Sequence, residues 1–503
     1  MNIVTAQLNY TIGDFEANSN KILAVIAKYG DTADIIVFSE LCISGYYPKD
    51  LLLRPEFLGQ QNQHLAKIRA ATQTTPCAVV IGTVQKNPFQ GKPFLNTLEF
   101  IEQGETRFHY HKQLLPTYGV FDEARHFEPG NLPGVFLWQG KRLGFLICED
   151  AWQNPNNTFH NYQRDPVAAL EHNKLDLIIS INASPSSLNQ WQARHNLAAA
   201  TARRCAAPMV YVNQVGAIDE LVFDGHSMVY NARGDCVFEA DLFVEQVTLH
   251  QLQAQLQPQP ISQRDTLEII YRQLLTGLRD YCEKSGFTQV VIGCSGGIDS
   301  AVTVAIAALA MGADNVLGVT MPSQYSSLGS IDDSVALCDA LGVKLINSPI
   351  KQTFETELQT YRKAFGEDPS PLAQENLQAR IRGQRLMTYS NSSGAMVVST
   401  GNKTELSVGY CTLYGDMAGG VSLLADLYKQ QVYALAEYLN RDVFKRELIP
   451  RAIIEKQPSA ELAPEQKDSD SLPPYPQLDA FLQLLLEGDL LDNKDIAFLE
   501  ARA

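Results

Sequence analysis

The chain has nine cysteines, but no two form a CxxC pair. A zinc ribbon or a dithiol redox site needs that spacing, and scattered thiols without it point to a reducing cytoplasm rather than a disulfide framework. Long apolar runs are missing too. None approaches the roughly 20 residues that cross a bilayer, although 45% of the chain is hydrophobic, a share that suits ordinary cores. Met1 to Thr11 is too polar for a signal peptide and reads as a first strand. Positive charge is scarce: 40 Lys and Arg stand against 56 Asp and Glu, a formal net charge of −16. That balance speaks against a nucleic-acid surface. It also requires any phosphate pocket to be made positive locally. At 503 residues, more than one domain is the default expectation.

The stretch from Val290 to Ala310, VVIGCSGGIDSAVTVAIAALA, is the most informative. An apolar run reads as a buried strand, Gly293, Cys294, Ser295, Gly296, Gly297, Ile298, Asp299 and Ser300 as a turn, and the Ala/Val-rich remainder as a helix. Strand, glycine turn and helix offer backbone N–H groups and a positive helix end to a phosphate. No Lys-Ser/Thr pair closes the turn, so it is not the common nucleotide loop. Its glycines also have the wrong spacing for a dinucleotide fingerprint. SGGIDS resembles the pyrophosphate loop of the ATP pyrophosphatases, which adenylate an oxygen and release pyrophosphate.

Earlier in the chain, Asn2 to Leu8 alternates like a strand and Asn18 to Lys28 has helical spacing. DIIVFS, ETRFHYH and RLGFLI read as strands whose ends carry Glu40, Lys112 and Cys148. A thiol at a strand end among acids is placed where a reactive one would be. His109 and His111 share a strand face, but with no third ligand at a sensible spacing they read as packing. FSELCISGY, HYHKQLLPTYGVFDE and FLICEDAW resemble the three signature regions of the nitrilase family of carbon–nitrogen hydrolases, over residues 1 to about 248. The resemblance implies Glu40 as general base, Cys148 as the nucleophile that forms a thioester, and Lys112 as the oxyanion's partner. In glutamine-using members Tyr118 and Ser184 would hold glutamine, and Gln190 stands where a lysine is usual. Gln251 to Gln263 reads as a Gln/Pro-rich linker.

In the second half, DNVLGVTM and VALCDALGVKLINSPI repeat the strand–helix unit of a doubly wound sheet. PSQYSSLGSIDDS reads as a Ser/Gly loop that could fold over a nucleotide. ENLQARIRGQRLMTYSN reads as a helix whose Arg380, Arg382 and Arg385 bind phosphate and carboxylate. SGGIDS, ENLQARIRG, STGNKTELSVGYCTLYGD and PSAELAPEQKDSDSLPPY together resemble the glutamine-dependent NAD synthetases, over essentially the whole chain.

The resemblance implies an α/β architecture. An αββα nitrilase-type sandwich occupies residues 1–250, a linker 251–265, and a Rossmann-like synthetase domain 266–503. It implies glutamine, ATP and deamido-NAD as substrates, and Mg²⁺ on Asp299 and Glu405. ATP would meet the 293–300 turn, Thr400 and Lys403. Deamido-NAD would meet Asn376, Arg380, Glu405 and Lys467. Ammonia would pass from Cys148 to the synthetase along a protected route. Residues Pro458 to Tyr475 would form an ordering lid. A cytoplasmic homo-oligomer, paired through the synthetase domain and free of nucleic acid and membrane, completes the expectation. Two rival readings remain at this stage. One is an amidase with a non-catalytic nucleotide sensor, which the intact Asp299, Thr400, Lys403 and Glu405 oppose. The other is a scaffold of decayed domains, which the complete Glu40, Lys112 and Cys148 set opposes.

Overall fold

Runs such as DIIVFS and RLGFLI lack polar alternation because both faces of their strands are covered. The computed structural model describes residues 1–152, 162–252, 257–488, 491 and 493–503. The chain divides into two units, Met1–Arg264 and Asp265–Ala503.

The first unit runs β1 (Asn2–Gln7), α1 (Phe15–Tyr29), β2 (Ile35–Val37), α2 (Pro55–Thr72), β3 (Ala78–Lys86), β4 (Phe94–Glu102) and β5 (Glu105–His111). It continues β6 (Val135–Trp138), β7 (Lys141–Ile147), α3 (Ala168–Glu171), β8 (Leu177–Asn182), α4 (Gln190–Cys205) and β9 (Met209–Asn213). A hairpin, β10 (Val215–Ile218) and β11 (Leu221–Asp224), precedes β12 (Met228–Tyr230), β13 (Cys236–Glu239) and β14 (Gln246–Gln251). Two six-stranded sheets result, ordered β14-β1-β2-β3-β4-β5 and β13-β12-β9-β8-β7-β6.

Strand side chains alternate between two cores. Ile35, Val37 and Val80 meet Phe145, Ile147, Ile179 and Val212 between the sheets. Ile36, Val79 and Ile81 turn the other way, into a cluster with Ile22 and Ile26 of α1 and Leu65 and Ile68 of α2. On the second sheet Ile178, Met209 and Tyr211 pack against Ala198 and Ala202 of α4. This is the expected αββα sandwich. The expected linker is not free chain where it is described. Leu252 N–H donates to Met1 O, Gln259 N–H to Cys236 O, and Ser262 N–H to Glu239 Oε1. These bonds hold the stretch to the first unit; residues 253–256 lie outside the described residues.

The second unit begins with α5 (Thr266–Ser285), β15 (Val290–Gly293), α6 (Ile298–Met311), β16 (Val316–Thr320), α7 (Leu328–Leu341) and β17 (Lys344–Asn347). Then follow α8 (Lys351–Phe365), α9 (Pro371–Ser393), β18 (Met396–Ser399), α10 (Lys403–Val408), β19 (Val421–Ser422) and α11 (Lys429–Tyr438). The last helices are α12 (Arg451–Glu455), α13 (Tyr475–Glu487) and α14 (Asn493–Glu500). The sheet order is β17-β16-β15-β18-β19, parallel throughout. The order reverses at β15, which is where a doubly wound sheet opens a crevice at its carboxyl ends.

The serine-rich stretch is only half a loop. Ser327 caps α7 by accepting from Ser330 N–H, so residues from Leu328 onward are helical. Capping by a serine side chain outweighs the loop-forming composition there.

Gly296 adopts φ +77°, and a Cβ on it would lie 2.3 Å from Ser330 O. Gly296→Ala therefore forces both strain and a clash with backbone. The expected loss is about 1–3 kcal/mol, read as a lower denaturation midpoint for the second unit. An unchanged midpoint would show that the turn relaxes freely.

Candidate active sites

Three strand ends converge in the first unit. Glu40 follows β2 on a turn laid against Gly82 of β3. A Cβ on Gly82 would sit 2.3 Å from Leu41 N, so only glycine lets that turn lie so close. Glu40 is clamped at both oxygens. Oε1 accepts from Asn96 Nδ2 at 2.7 Å and Lys112 Nζ at 2.8 Å, and Oε2 accepts from Ala183 N–H at 3.0 Å.

Lys112, directly after β5, lies between two carboxylates, with Glu123 Oε1 at 2.6 Å on the far side. All three side chains are at 0% exposure. Tyr46 donates to the same Glu123 oxygen at 2.7 Å. Burial alone would lower the ammonium, but Glu123 and Glu40 outweigh it and hold Lys112 well above the ordinary lysine range. Burial dominates at Glu123 and raises it, with Lys112 opposing.

Asp150 brings the β5 and β7 ends together. Its Oδ1 accepts from the N–H groups of Gln113 and Leu114, each at 2.9 Å. Its Oδ2 accepts from Tyr110 hydroxyl at 2.8 Å and Ile147 N–H at 3.1 Å. Burial pushes its carboxyl up to about 6, against those bonds. Cys148 itself is buried in the left-handed region at φ 43°, a strained setting of the kind that holds functional residues. Burial, then Glu40, push its thiol well above the usual range, with Lys112 acting the other way. The resting thiol is protonated, so attack needs a base.

The candidate substrate contacts are partly engaged. Tyr118 donates to Glu149 Oε1 at 3.0 Å. Ser184 Oγ accepts from Arg194 Nε at 3.1 Å, and Arg194 Nη1 reaches Asp224 Oδ1 at 2.6 Å. Gln190 opens α4, one turn before Arg194, and is half-buried. Sequence reading missed Glu123, Asp150 and Arg194. Glu123 stood inside a quoted signature, and Asp150 stood two residues past the thiol. Arg194 carried no signal, since its role depends on a partner 30 residues away.

In the second unit, residues 293–300 line a cavity of about 420 Å³ together with Thr400 and Glu405, within the size range of small-molecule sites. Ser295 Oγ lies 3.2 Å from Ser300 Oγ and accepts from Gly297 N–H at 3.2 Å. Cys294 lines the cavity while its side chain is buried. Lys429 Nζ bridges Asp299 Oδ2 at 2.6 Å and Glu405 Oε1 at 2.9 Å. Asn402 donates to Asp299 Oδ1 at 2.8 Å. Burial, then Asp299, push the Glu405 carboxyl up to about 7 despite Lys429.

Arg382, Lys429 and Lys456 bring positive charge into a cavity that is also lined by Asp299, Glu405, Asp416, Glu461 and Asp468. Burial pushes the Arg382 guanidinium down to about 10 against Glu461 and Asp416, so an anion beside it would be welcome. Residues 458–462 and Asp468 also line it.

Five other candidates do not line this cavity. Lys403 pairs with Glu487 of α13 and lies over the Tyr428 ring. Arg380 donates to Leu413 O at 3.2 Å, Asn376 accepts from Thr412 Oγ1 at 2.7 Å, and Lys467 is exposed. Arg385 is spent on Ser348 O and Pro349 O. The reason on α9 is helical period. Ala379, Arg382, Gly383 and Leu386 form the cavity-facing stripe at i, i+3, i+4 and i+7, and Asn376, Arg380 and Arg385 are not part of it.

A sandwich with Glu, Lys and Cys at three strand ends defines a carbon–nitrogen hydrolase, and a glycine turn at a reversed parallel sheet defines a nucleotide-using unit. The carbon–nitrogen hydrolase family model matches residues 3–260 and the NAD synthase model residues 270–500. The glutamine-dependent NAD(+) synthetase of Synechocystis sp. is 41% identical, covering 96% of this chain and 88% of that protein. The one from Thermotoga maritima is 37% identical, covering 99% and 90%. A solved glutamine-dependent NAD+ synthetase from Acinetobacter baumannii, in complex with ADP, superposes with TM-score 0.82 at 37% identity, over 99% of this chain and 90% of that one. The chain belongs to the glutamine-dependent NAD(+) synthetase family, and it is an enzyme. Among the described residues no helix is long and apolar enough to cross a membrane.

Glu123→Gln keeps the shape of the side chain and removes its charge beside Lys112. Amide hydrolysis by the first unit is expected to fall on the order of 10²-fold, with the melting temperature lowered but the transition still cooperative. An unchanged rate would show that Glu40 alone positions the lysine.

Proposed function

We propose that this chain catalyses the ATP-dependent amidation of deamido-NAD to NAD, taking ammonia from glutamine and releasing AMP, pyrophosphate and glutamate. The observation that carries the glutamine half is the Lys112 ammonium, buried between Glu40 and Glu123 and close enough to Cys148 for the two to act on each other electrostatically. Glu40 takes the thiol proton as Sγ attacks the amide carbon. Lys112 stabilises the oxyanion that forms. The C–N bond breaks, the proton returns to the leaving nitrogen, and ammonia departs. Water then cleaves the thioester to glutamate. Tyr118, Ser184 and Gln190 hold the substrate in this reading.

In the second unit the cavity-lining turn, with Ser295, Gly297 and Ser300 foremost, takes the phosphates of ATP, and Thr400 contacts the nucleotide. Arg382 and Lys456 supply charge for them. The pyridine carboxylate oxygen attacks the α-phosphorus and pyrophosphate leaves. Ammonia then attacks the acyl carbon and AMP leaves. Asp299 and Glu405 suit a hard cation: their oxygens are the right donors, and Glu405 remains raised even with Lys429 beside it. Bound there, Mg²⁺ would neutralise phosphate charge. Lys403, Asn376, Arg380 and Lys467 rest on the family resemblance alone, as do a homo-oligomer and a cytoplasmic location.

Cys148→Ala tests the division of labour. Glutamine-fed NAD synthesis is expected to fall to background. Ammonium-fed synthesis at high concentration should persist near the parent rate, with ATP cleaved to AMP and pyrophosphate. A folded variant that still uses glutamine would overturn the thioester route.

Asp299→Asn removes one anionic oxygen from the cavity. Pyrophosphate release at limiting Mg²⁺ is expected to drop on the order of tenfold or more, while glutamine hydrolysis survives. Unchanged release would remove Asp299 from the cation's shell.

A further inference from the structure

Away from the Cys148 centre and its Lys112 ion pairs, the first unit gathers a second cluster of ligand-type side chains. α4 supplies His195, the residue just past β11 and its following glycine supplies His226, and the end of β13 supplies Glu239. The ligand atoms of all three lie within 4.8 Å of one another. His195 Nε2 is 3.1 Å and His226 Nε2 3.4 Å from Glu239 Oε2. A tetrahedral zinc with ligands at roughly 2.0–2.1 Å places those ligands about 3.3 Å apart, so both spacings match the edge of such a shell. Both histidines are 1% exposed. Their rings meet edge to face at 4.7 Å.

A second observation points to a ligand. His195 Nε2, which faces Glu239 Oε2, is buried without a hydrogen-bond partner, whereas His226 Nε2 bonds that oxygen at 3.4 Å. His195 Nε2 and Glu239 Oε2 are 3.1 Å apart, an ion-pair distance.

The surroundings resemble an outer coordination shell. His195 Nδ1 pairs with the Tyr230 hydroxyl. That contact fixes the ring and leaves Nε2 available, as for a metal-bound histidine. Glu239 turns its other oxygen to Ser262 N–H at 3.2 Å and Arg264 Nη2 at 3.5 Å. A ligating carboxylate is held in this way by its second oxygen.

We propose that the first unit binds one borderline divalent transition metal, of which Zn²⁺ is the type case, through His195, His226 and Glu239. Two imidazoles and one carboxylate suit this class over Mg²⁺ or Ca²⁺, which take oxygen shells. Three protein ligands leave the fourth position to water. The metal joins α4 to β13 and to the Ser262–Arg264 stretch that closes the unit. α4 also carries Gln190 and Arg194, so the metal steadies the wall of the candidate glutamine pocket without entering the chemistry.

The test uses the full chain, stripped with chelator and desalted. Zn²⁺ is titrated by calorimetry and Co²⁺ by absorption. One equivalent per chain is expected, with visible cobalt bands of a nitrogen–oxygen site and a higher melting temperature. Glu239→Gln, which preserves size, and His226→Gln should each weaken binding at least about 100-fold. Tyr230→Phe removes only the orienting hydroxyl and should weaken it about tenfold; it decides the matter if the ligand variants fail to fold. Three results overturn the proposal. One is no stoichiometric uptake, which leaves Glu239 accepting protons from two imidazoles. Another is undiminished binding in all variants that fold. The third is a sulfur-to-cobalt band lost on alkylating Cys148, which places the metal on the thiol.

Discussion

The first unit depends on a lysine ammonium held out of water between two carboxylates. Lys112 touches Glu40 and Glu123, and none of the three reaches solvent. Desolvating such charges is expensive, and removing one partner of a buried pair typically costs about 3–5 kcal/mol. The arrangement therefore exists only where the surrounding fold makes it complete. Asn96 and the Ala183 amide finish Glu40, Tyr46 finishes Glu123, and Asp150 pins the β5 and β7 ends in place. The same charges that satisfy one another are those that would move a proton and receive an oxyanion.

The second unit uses a related device. Lys429 lies between Asp299 and Glu405 as Lys112 lies between Glu40 and Glu123. The outcomes differ because the surroundings differ. Glu405 opens onto a cavity and stays raised, so the Asp299–Glu405 pair has room for more positive charge. Lys112 is sealed, and its two carboxylates are completed by Asn96, the Ala183 amide and Tyr46. In the proposed reading the first cluster moves a proton and the second holds phosphate with a cation.

Much of the fold was legible because burial writes directly onto composition. Strands covered on both faces appear as uninterrupted apolar runs, as in DIIVFS, and α5 matches its apolar spacing from Thr266 to Ser285. The convergence of Glu40, Lys112 and Cys148 was legible because each sits at or just beyond a strand end, where the side-chain pattern changes. The Ser/Gly stretch before α7 misled, because the serine that looks like loop is a helix cap. The Gln/Pro-rich stretch misled as well, since its hydrogen bonds go to a strand end that is distant in the chain.

Local order thus determined which segments form strands and helices, where the glycine turn falls, and which residue types stand at strand ends. Those properties depend on neighbours a few positions away. Tertiary structure alone decided that Lys112 has two carboxylates rather than one, and that Lys429 occupies the ground between Asp299 and Glu405. It also decided that Arg382 faces the cavity while Arg380 and Arg385 do not, and that two histidines and a glutamate from three elements share one buried corner. Each of these depends on distance in space between residues far apart in the chain, and on the loss of water that makes a close charge strong. Neither distance nor dielectric is written in the order of residues.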